Sequence, residues 1–317
     1  MRELNREKSK PIIVTDEKKR VMSTSKKKIE IIAEYFKKAL SPEQMKEQIK
    51  TYDPCTMEQK FTGEEIEKAS RKIRNGKSTG IDKCNAEFIK YAPSSIHNRI
   101  AEIYNRVAET GEKVDHMVEG LLTPLPKPGK KKGPPENLRP IILLSVLRKI
   151  LTICLLERIW DRLEKEIPLE QAAYQSGRST SEQVLALKLL AEKAILNSDY
   201  TIYVMLLDMS KAFDTVNRKT LFENLEKILR KDEIHILSII TNEPELRIKL
   251  ESKKGSKFKT YQGIMQGDCL SAVLFVYYLS CALREEHQKE EDTVQQLDHN
   301  YAKTEIKSHH SNVAYPP

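Results

Sequence analysis

Six consecutive apolar residues, Ile202-Tyr203-Val204-Met205-Leu206-Leu207, stop abruptly at Asp208. A run without alternation fits a strand covered on both faces, since a wet face would expose half of its large side chains. Such a strand needs paired neighbours and covering layers, and the rest of the chain offers both. Apolar residues recur at helical spacing over 25–40 (Ile29, Ile32, Ala33, Phe36, Leu40) and over 144–167 (Leu147, Ile150, Leu151, Cys154, Leu155, Ile159, Leu163). A capping box at Ser179-Thr180-Ser181-Glu182 opens a further helix to about Leu196, with Val184, Leu187, Leu190, Ala191 and Ala194 as its expected inner face. Leu121-Leu122-Thr123 runs into a proline and glycine turn ending at Lys130, which predicts a β-hairpin; Leu246, Ile248 and Leu250 alternate before Lys254-Gly255 as the arm of another. Leu270 to about Leu283 is apolar nearly all round and is expected to pack as a helix against a sheet. Strand, helix and hairpin in that order predict an α+β fold.

At 317 residues and 39% hydrophobic, the chain can bury one large core or two modest ones. Its net charge of +8 arises from 54 basic against 46 acidic residues, so the excess matters where it clusters, and nucleic acid becomes a candidate partner. Five cysteines without a Cys-x-x-Cys pair argue against a disulfide scaffold or a zinc knuckle. The longest apolar run, over 272–283, falls short of the roughly 18 residues of a membrane span, and the first residues lack the apolar core of a signal peptide. An intracellular location, nuclear or cytoplasmic, is expected, without membrane association.

A carboxylate at a strand end is a common way to fix a divalent cation, although an isolated one is more often a turn cap. Asp208 is not isolated. Asp208-Met209-Ser210-Lys211-Ala212-Phe213-Asp214-Thr215-Val216 resembles motif A of reverse transcriptases, in the form used by non-LTR retrotransposons and group II intron maturases. Other stretches agree in order. Lys77-Ser78-Thr79-Gly80-Ile81-Asp82 with Ala86-Glu87-Phe88 is similar to the family's N-terminal signature, and Leu122 to Lys130 to its fingers hairpin. Asn137-Leu138-Arg139-Pro140-Ile141 resembles its Arg-Pro-Ile motif, Tyr174-Gln175-Ser176-Gly177-Arg178 its template-contacting region, and Gly263 to Ser271 its motif B. Residues 12–40 look like the linker that follows an upstream endonuclease in such elements.

The resemblance implies a right-hand polymerase architecture without a thumb: a lysine-rich linker over 1–60, fingers over 61–200, a partial palm over 201–283 and a polar tail over 284–317. It implies RNA template, DNA primer and deoxynucleoside triphosphates as partners and Mg²⁺ as cofactor, with Mn²⁺ as the alternative. Asp208 would be catalytic and would hold metal together with the Met209 carbonyl. Phe213 would act as the steric gate against a 2′-hydroxyl, with core packing as the alternative reading. Lys127 and Arg139 would meet the triphosphate, and the neighbours of Arg139 suggest a site where an unpaired charge is costly. Gln266 and Gly267 would support the nucleotide and the templating base, while Gln175, Gly177 and Arg178 would contact template. Asp214 is expected to brace the motif, and the run Lys130-Lys131-Lys132 reads as a solvated face.

The second carboxylate site of the family, the Tyr-Ala-Asp-Asp hairpin called motif C, has no counterpart: Tyr301-Ala302-Lys303-Thr304 lacks both aspartates. The chain is therefore expected to stop before motif C, or to carry a decayed one, and to polymerise poorly if at all. A non-catalytic RNA-binding module is the alternative function.

Overall fold

The computed structural model describes residues 12–196 and 208–285, with Tyr203, Val204 and Leu206 between them. Its helices are α1 (Ser25–Leu40), α2 (Glu43–Lys46), α3 (Gly63–Lys72), α4 (Ala86–Lys90), α5 (Ser94–Thr110), α6 (Asp115–Val118), α7 (Val146–Glu166), α8 (Thr180–Leu196), α9 (Arg218–Leu225) and α10 (Lys231–Thr241). A last helix, α11, covers residues 269–285. The strands are β1 (Glu119–Pro126), β2 (Leu138–Leu144), β3 (Glu245–Leu250) and β4 (Lys253–Lys259). The α+β expectation holds, and local chemistry sets several boundaries. Thr24, Thr62 and Ser145 accept a bond from the first turn of α1, α3 and α7, and Gly111, in the left-handed conformation, ends α5.

The four strands form one sheet in the order β2-β1-β3-β4. β1 and β2 are the expected hairpin, antiparallel from Gly120↔Leu144 to Pro126↔Leu138. β1 also pairs in parallel with β3 over Glu119–Leu122. Pro124 lies beyond that parallel pairing, where its missing N–H costs no ladder bond on that side. The sheet thus ties residues on both sides of position 200 together, so the expected division between 61–200 and 201–283 does not separate two packing units.

Alternation along β2 and β3 buries Leu138, Ile142, Leu144, Leu246, Ile248 and Leu250, and Ile29, Ile32, Phe36 and Leu40 of α1 cover them. Helix α1, expected within a linker, therefore closes a core. Its apolar stripe supplies a layer that the sheet requires. A second core is helical, built by α3, α5, α7, α9, α10 and α11. Helix α11 packs there through Leu270, Val273, Leu274 and Tyr277, against helices instead of the expected sheet.

Two expectations fail. Ile202, Met205 and Leu207 lie outside the described residues, but Tyr203, Val204 and Leu206 belong to no strand and are exposed. None of the four strands pairs with Tyr203, Val204 or Leu206, and without a hydrogen-bonding neighbour these side chains have no strand in which to stay buried. Helix α8 has the expected span and its reciprocal Ser179–Glu182 cap, yet no residue of it is buried, Val184, Leu187 and Leu190 included. Its apolar residues lie all round the helix, and among the described residues no layer covers them.

Candidate active site

Two turns meet where the motif A and motif B stretches cross. Lys211, at φ 55°, opens a short 3-10 turn over Ala212–Thr215, closed by the Asp214 and Thr215 amides donating to the Lys211 carbonyl. Against it lies the loop entering α11. The Gly263 amide donates to the Val216 carbonyl and the Ile264 amide to the Phe213 carbonyl, both at 2.9 Å. Gly263 is required by this crossing: a Cβ there would sit 2.8 Å from the Asp214 carbonyl oxygen, on a backbone at φ +76°.

The Phe213 side chain is half-buried and stacks on Phe275 of α11, ring centroids 4.7 Å apart and planes 21° apart. Tyr174, itself at φ 57°, meets the same ring in an edge-on arrangement, centroids 6.4 Å apart. The aromatic ring expected to gate the sugar thus contacts two other rings, those of residues 174 and 275. Asp214, next in sequence, points inward. It is buried and accepts a bond from Gln266 Nε2 at 3.0 Å. Burial raises its pKa, against the opposing pull of the Gln266 bond and the Lys211 and Lys127 charges. Asp214 braces the turn, as the sequence suggested, and Gln266 is its partner.

Gly267 lies against β2, a contact the sequence did not predict. At φ +126°, a Cβ on it would lie 2.4 Å from the Ile142 carbonyl oxygen, and the Ile142 amide donates to the Gln266 carbonyl at 2.8 Å. The close approach that needs glycine is to β2, whose free edge this loop covers. Arg139 also departs from expectation. It falls on the outward positions of β2 and is exposed, with buried Leu138 and Pro140 on either side; strand alternation turns it to solvent, so the desolvation argument does not apply. Lys127 ends the hairpin arm, its Nζ donating to the Glu136 carbonyl at 2.8 Å. Gly177 and Arg178 are exposed, whereas Gln175 Nε2 is buried without a hydrogen-bond partner.

Asp208 and Met209 are exposed. Among the described residues, no three His, Cys, Asp or Glu side chains converge as a metal site. Asp214 is committed to Gln266, while Asp268 caps α11 through the Leu270 amide and lies 3.5 Å from Arg148 Nε. One exposed carboxylate fits the oxygen preference of Mg²⁺, but with no converging cluster of ligands among the described residues it does not by itself make a two-ion centre.

Sequence reasoning missed Arg218. Flanked by Asn217 and Lys219, it reads as a surface residue, yet it is buried and spans the gap between α9 and the loop before α11. Its guanidinium donates to the carbonyls of Gly263, Asn242, Thr260 and Gln262 and to Thr260 Oγ1, at 2.6 to 3.0 Å. Burial pushes its pKa down to about 9. Tyr35 was also missed: α1 brings its ring to 4.9 Å from Lys211 Nζ.

The motif A and motif B stretches, distant in sequence, thus meet at one place in the fold. The family model described as "Reverse transcriptase (RNA-dependent DNA polymerase)" matches residues 125–312, and the chain belongs to that family. It is 28% identical over 67% of its length to the "Probable RNA-directed DNA polymerase from transposon BS" of Drosophila melanogaster, covering 24% of that protein. It is 24% identical over 81% of its length to the "RNA-directed DNA polymerase from mobile element jockey" of the same species, covering 29% of it. A "Retrovirus-related Pol polyprotein from type-1 retrotransposable element R2" of Nasonia vitripennis is 24% identical over 69% of this chain and 22% of its own length. With these relatives the chain is a reverse transcriptase domain of the non-LTR kind, spanning about a quarter of their length.

Proposed function

We propose that this chain is the fingers and part of the palm of an RNA-directed DNA polymerase, and that it forms the nucleotide-selecting corner of a site whose parent reaction is Mg²⁺-dependent, RNA-templated deoxynucleotide addition. The observation that carries this reading is the clamped aromatic. Phe213 is fixed by Phe275 and Tyr174 around its ring and by the Ile264 amide on its backbone, as a residue that excludes a 2′-hydroxyl by shape must be. Lys127 supplies positive charge close enough to act on Asp214, and Arg139 adds an exposed guanidinium from the neighbouring strand. Both suit a triphosphate. Gln266 and Gly267 hold the floor of this corner, and Gln175, with its buried unsatisfied donor, together with Gly177 and Arg178, faces template. Asp208 is the catalytic carboxylate of the parent reaction, and the Met209 carbonyl is a further oxygen ligand for its metal. RNA template, DNA primer and deoxynucleoside triphosphates are the partners.

The absence of a converging ligand cluster among the described residues favours, as the second reading, a chain that binds RNA without catalysis. Primer extension on an RNA template separates the two. Little or no extension is expected with Mg²⁺ or Mn²⁺, while a labelled deoxynucleotide binds better than its ribonucleotide, a preference that Phe213→Val abolishes. Robust extension that disappears in Asp208→Ala would overturn the non-catalytic reading, and equal binding of both nucleotides by the unmodified chain would remove the gate.

A further inference from the structure

The motif A turn is met by a residue from near the start of the chain, Tyr35 of α1, whose ring centroid lies 4.9 Å from Lys211 Nζ. The ring has supports of its own. It is partly buried against the core that α1 shares with the sheet, it meets Phe36 edge-on with centroids 5.1 Å apart, and its hydroxyl is buried without a hydrogen-bond partner. Lys211 is held at its backbone, in the left-handed conformation at φ 55° and ψ 34°, where its carbonyl accepts the Asp214 amide at 2.7 Å and the Thr215 amide at 3.1 Å. A residue with a Cβ adopts that conformation at a cost, and such costs gather at functional turns. The Lys211 side chain is exposed, and among the described residues it has no ion-pair partner. Lys127, from the hairpin, has none either, and the charges of both lysines act on Asp214.

We propose that Lys211 is a further cation for the phosphates of the incoming nucleotide and that Tyr35, carried by the N-terminal helix, is its positioning residue. An ammonium on a long, rotatable stem gives up side-chain entropy when it meets a ligand, and a group that restrains it beforehand lowers that cost. A carboxylate in this role would also cancel the charge. A ring face holds the cation and leaves its charge and its N–H donors to the ligand. With Lys127 acting on the same carboxylate, the corner carries two such ammoniums, which suits an anion with several charged oxygens better than one with a single charge. Asp214, the carboxylate of this turn, is committed to Gln266, and burial favours its neutral form. The inference rests on the nucleotide reading of the corner for the identity of its ligand; the role of Tyr35 goes beyond that reading and makes α1, expected within a linker, part of the site.

Calorimetric titration of the full chain in EDTA tests this, with inorganic tripolyphosphate, a deoxynucleoside triphosphate and the matching monophosphate as probes. Lys211→Met should weaken binding of tripolyphosphate and of the triphosphate about tenfold or more. Tyr35→Leu should weaken both about two- to fivefold and the monophosphate less, while Tyr35→Phe, which keeps the ring, should bind as the parent does. In the Lys211→Met background Tyr35→Leu should have no further effect. Circular-dichroism melts give a temperature at which each variant is folded, and Tyr35→Met replaces Tyr35→Leu if the leucine chain does not fold. A merely structural loss from α1 would reduce binding by the same factor with or without Lys211, and that result overturns the proposal. So does equal weakening of mono- and triphosphate by Tyr35→Leu, or no binding of tripolyphosphate by the parent chain. Equal binding of deoxynucleotide and ribonucleotide, with the tripolyphosphate results intact, would remove the gate and leave Tyr35 and Lys211 in their roles, so failure of the polymerase reading and failure of this inference are distinguishable.

Discussion

Arg218 shows how a single buried cation can organise a polymerase-like corner without touching its chemistry. Its fork satisfies four carbonyls, one at the end of α10 and three in the loop after β4, groups that would otherwise be buried without donors. Arg218→Met is expected to destabilise the fold by about 3–5 kcal/mol, and Arg218→Lys to recover little of it, because an ammonium cannot reproduce the planar fork; urea unfolding reads both. Asp214 gives the opposite case. Since burial raises its pKa, the folded state holds the proton more tightly than the unfolded chain does. Stability therefore falls as pH rises from the unfolded carboxylate range through the folded pKa, and the cost is complete above it. Asp214→Asn keeps an oxygen to accept from Gln266 and carries no charge. It should raise the melting temperature at pH 7, with the gain vanishing below the ordinary carboxylate range. A melting difference constant from pH 3 to 8 would contradict the assignment.

At the level of elements, α7 and α8 make an informative pair, because both carry capping residues and leucines yet only one is packed. Leu151 of α7 is fully buried, so Leu151→Ala should cost about 2–5 kcal/mol. Leu187 and Leu190 of α8 are half exposed or more; changing both to Gln should move stability by no more than about 0.5 kcal/mol each while improving solubility. Denaturant melts alongside sedimentation would register the contrast. The loop before α11 behaves as an extra edge partner for β2. Gly267→Ala forces a Cβ against the Ile142 carbonyl and strains a backbone at positive φ, with an expected destabilisation of about 1–3 kcal/mol or more. Retained stability would mean that the loop yields without cost.

Across the molecule, one sheet joins segments more than 100 residues apart, and α1 covers it. Removing residues 1–41 should expose Leu122, Ile142, Leu246 and Ile248 together and give an aggregating or unfolded product, measurable by light scattering and hydrogen exchange. No helix among the described residues is long and apolar enough to cross a membrane.

Features that depend on neighbours a few residues away were legible in the chain alone. The helices over 25–40, 146–166 and 180–196 follow from capping side chains and apolar spacing, and the β1–β2 hairpin from its proline and glycine turn. The family, too, could be read, because its motifs are short and ordered along the chain. Which apolar faces find a cover was settled only in three dimensions. Helix α1 and helix α8 both read as amphipathic or apolar, yet one closes a core and the other is exposed. The same physics governs the candidate site. Residue types at 208–216 and 263–268 announce a polymerase motif, but that Gln266 serves Asp214, that Gly267 serves Ile142 and that Arg218 is buried are consequences of segments meeting from distant parts of the chain. Burial and hydrogen-bond partnership are properties of such meetings, and no local pattern encodes them.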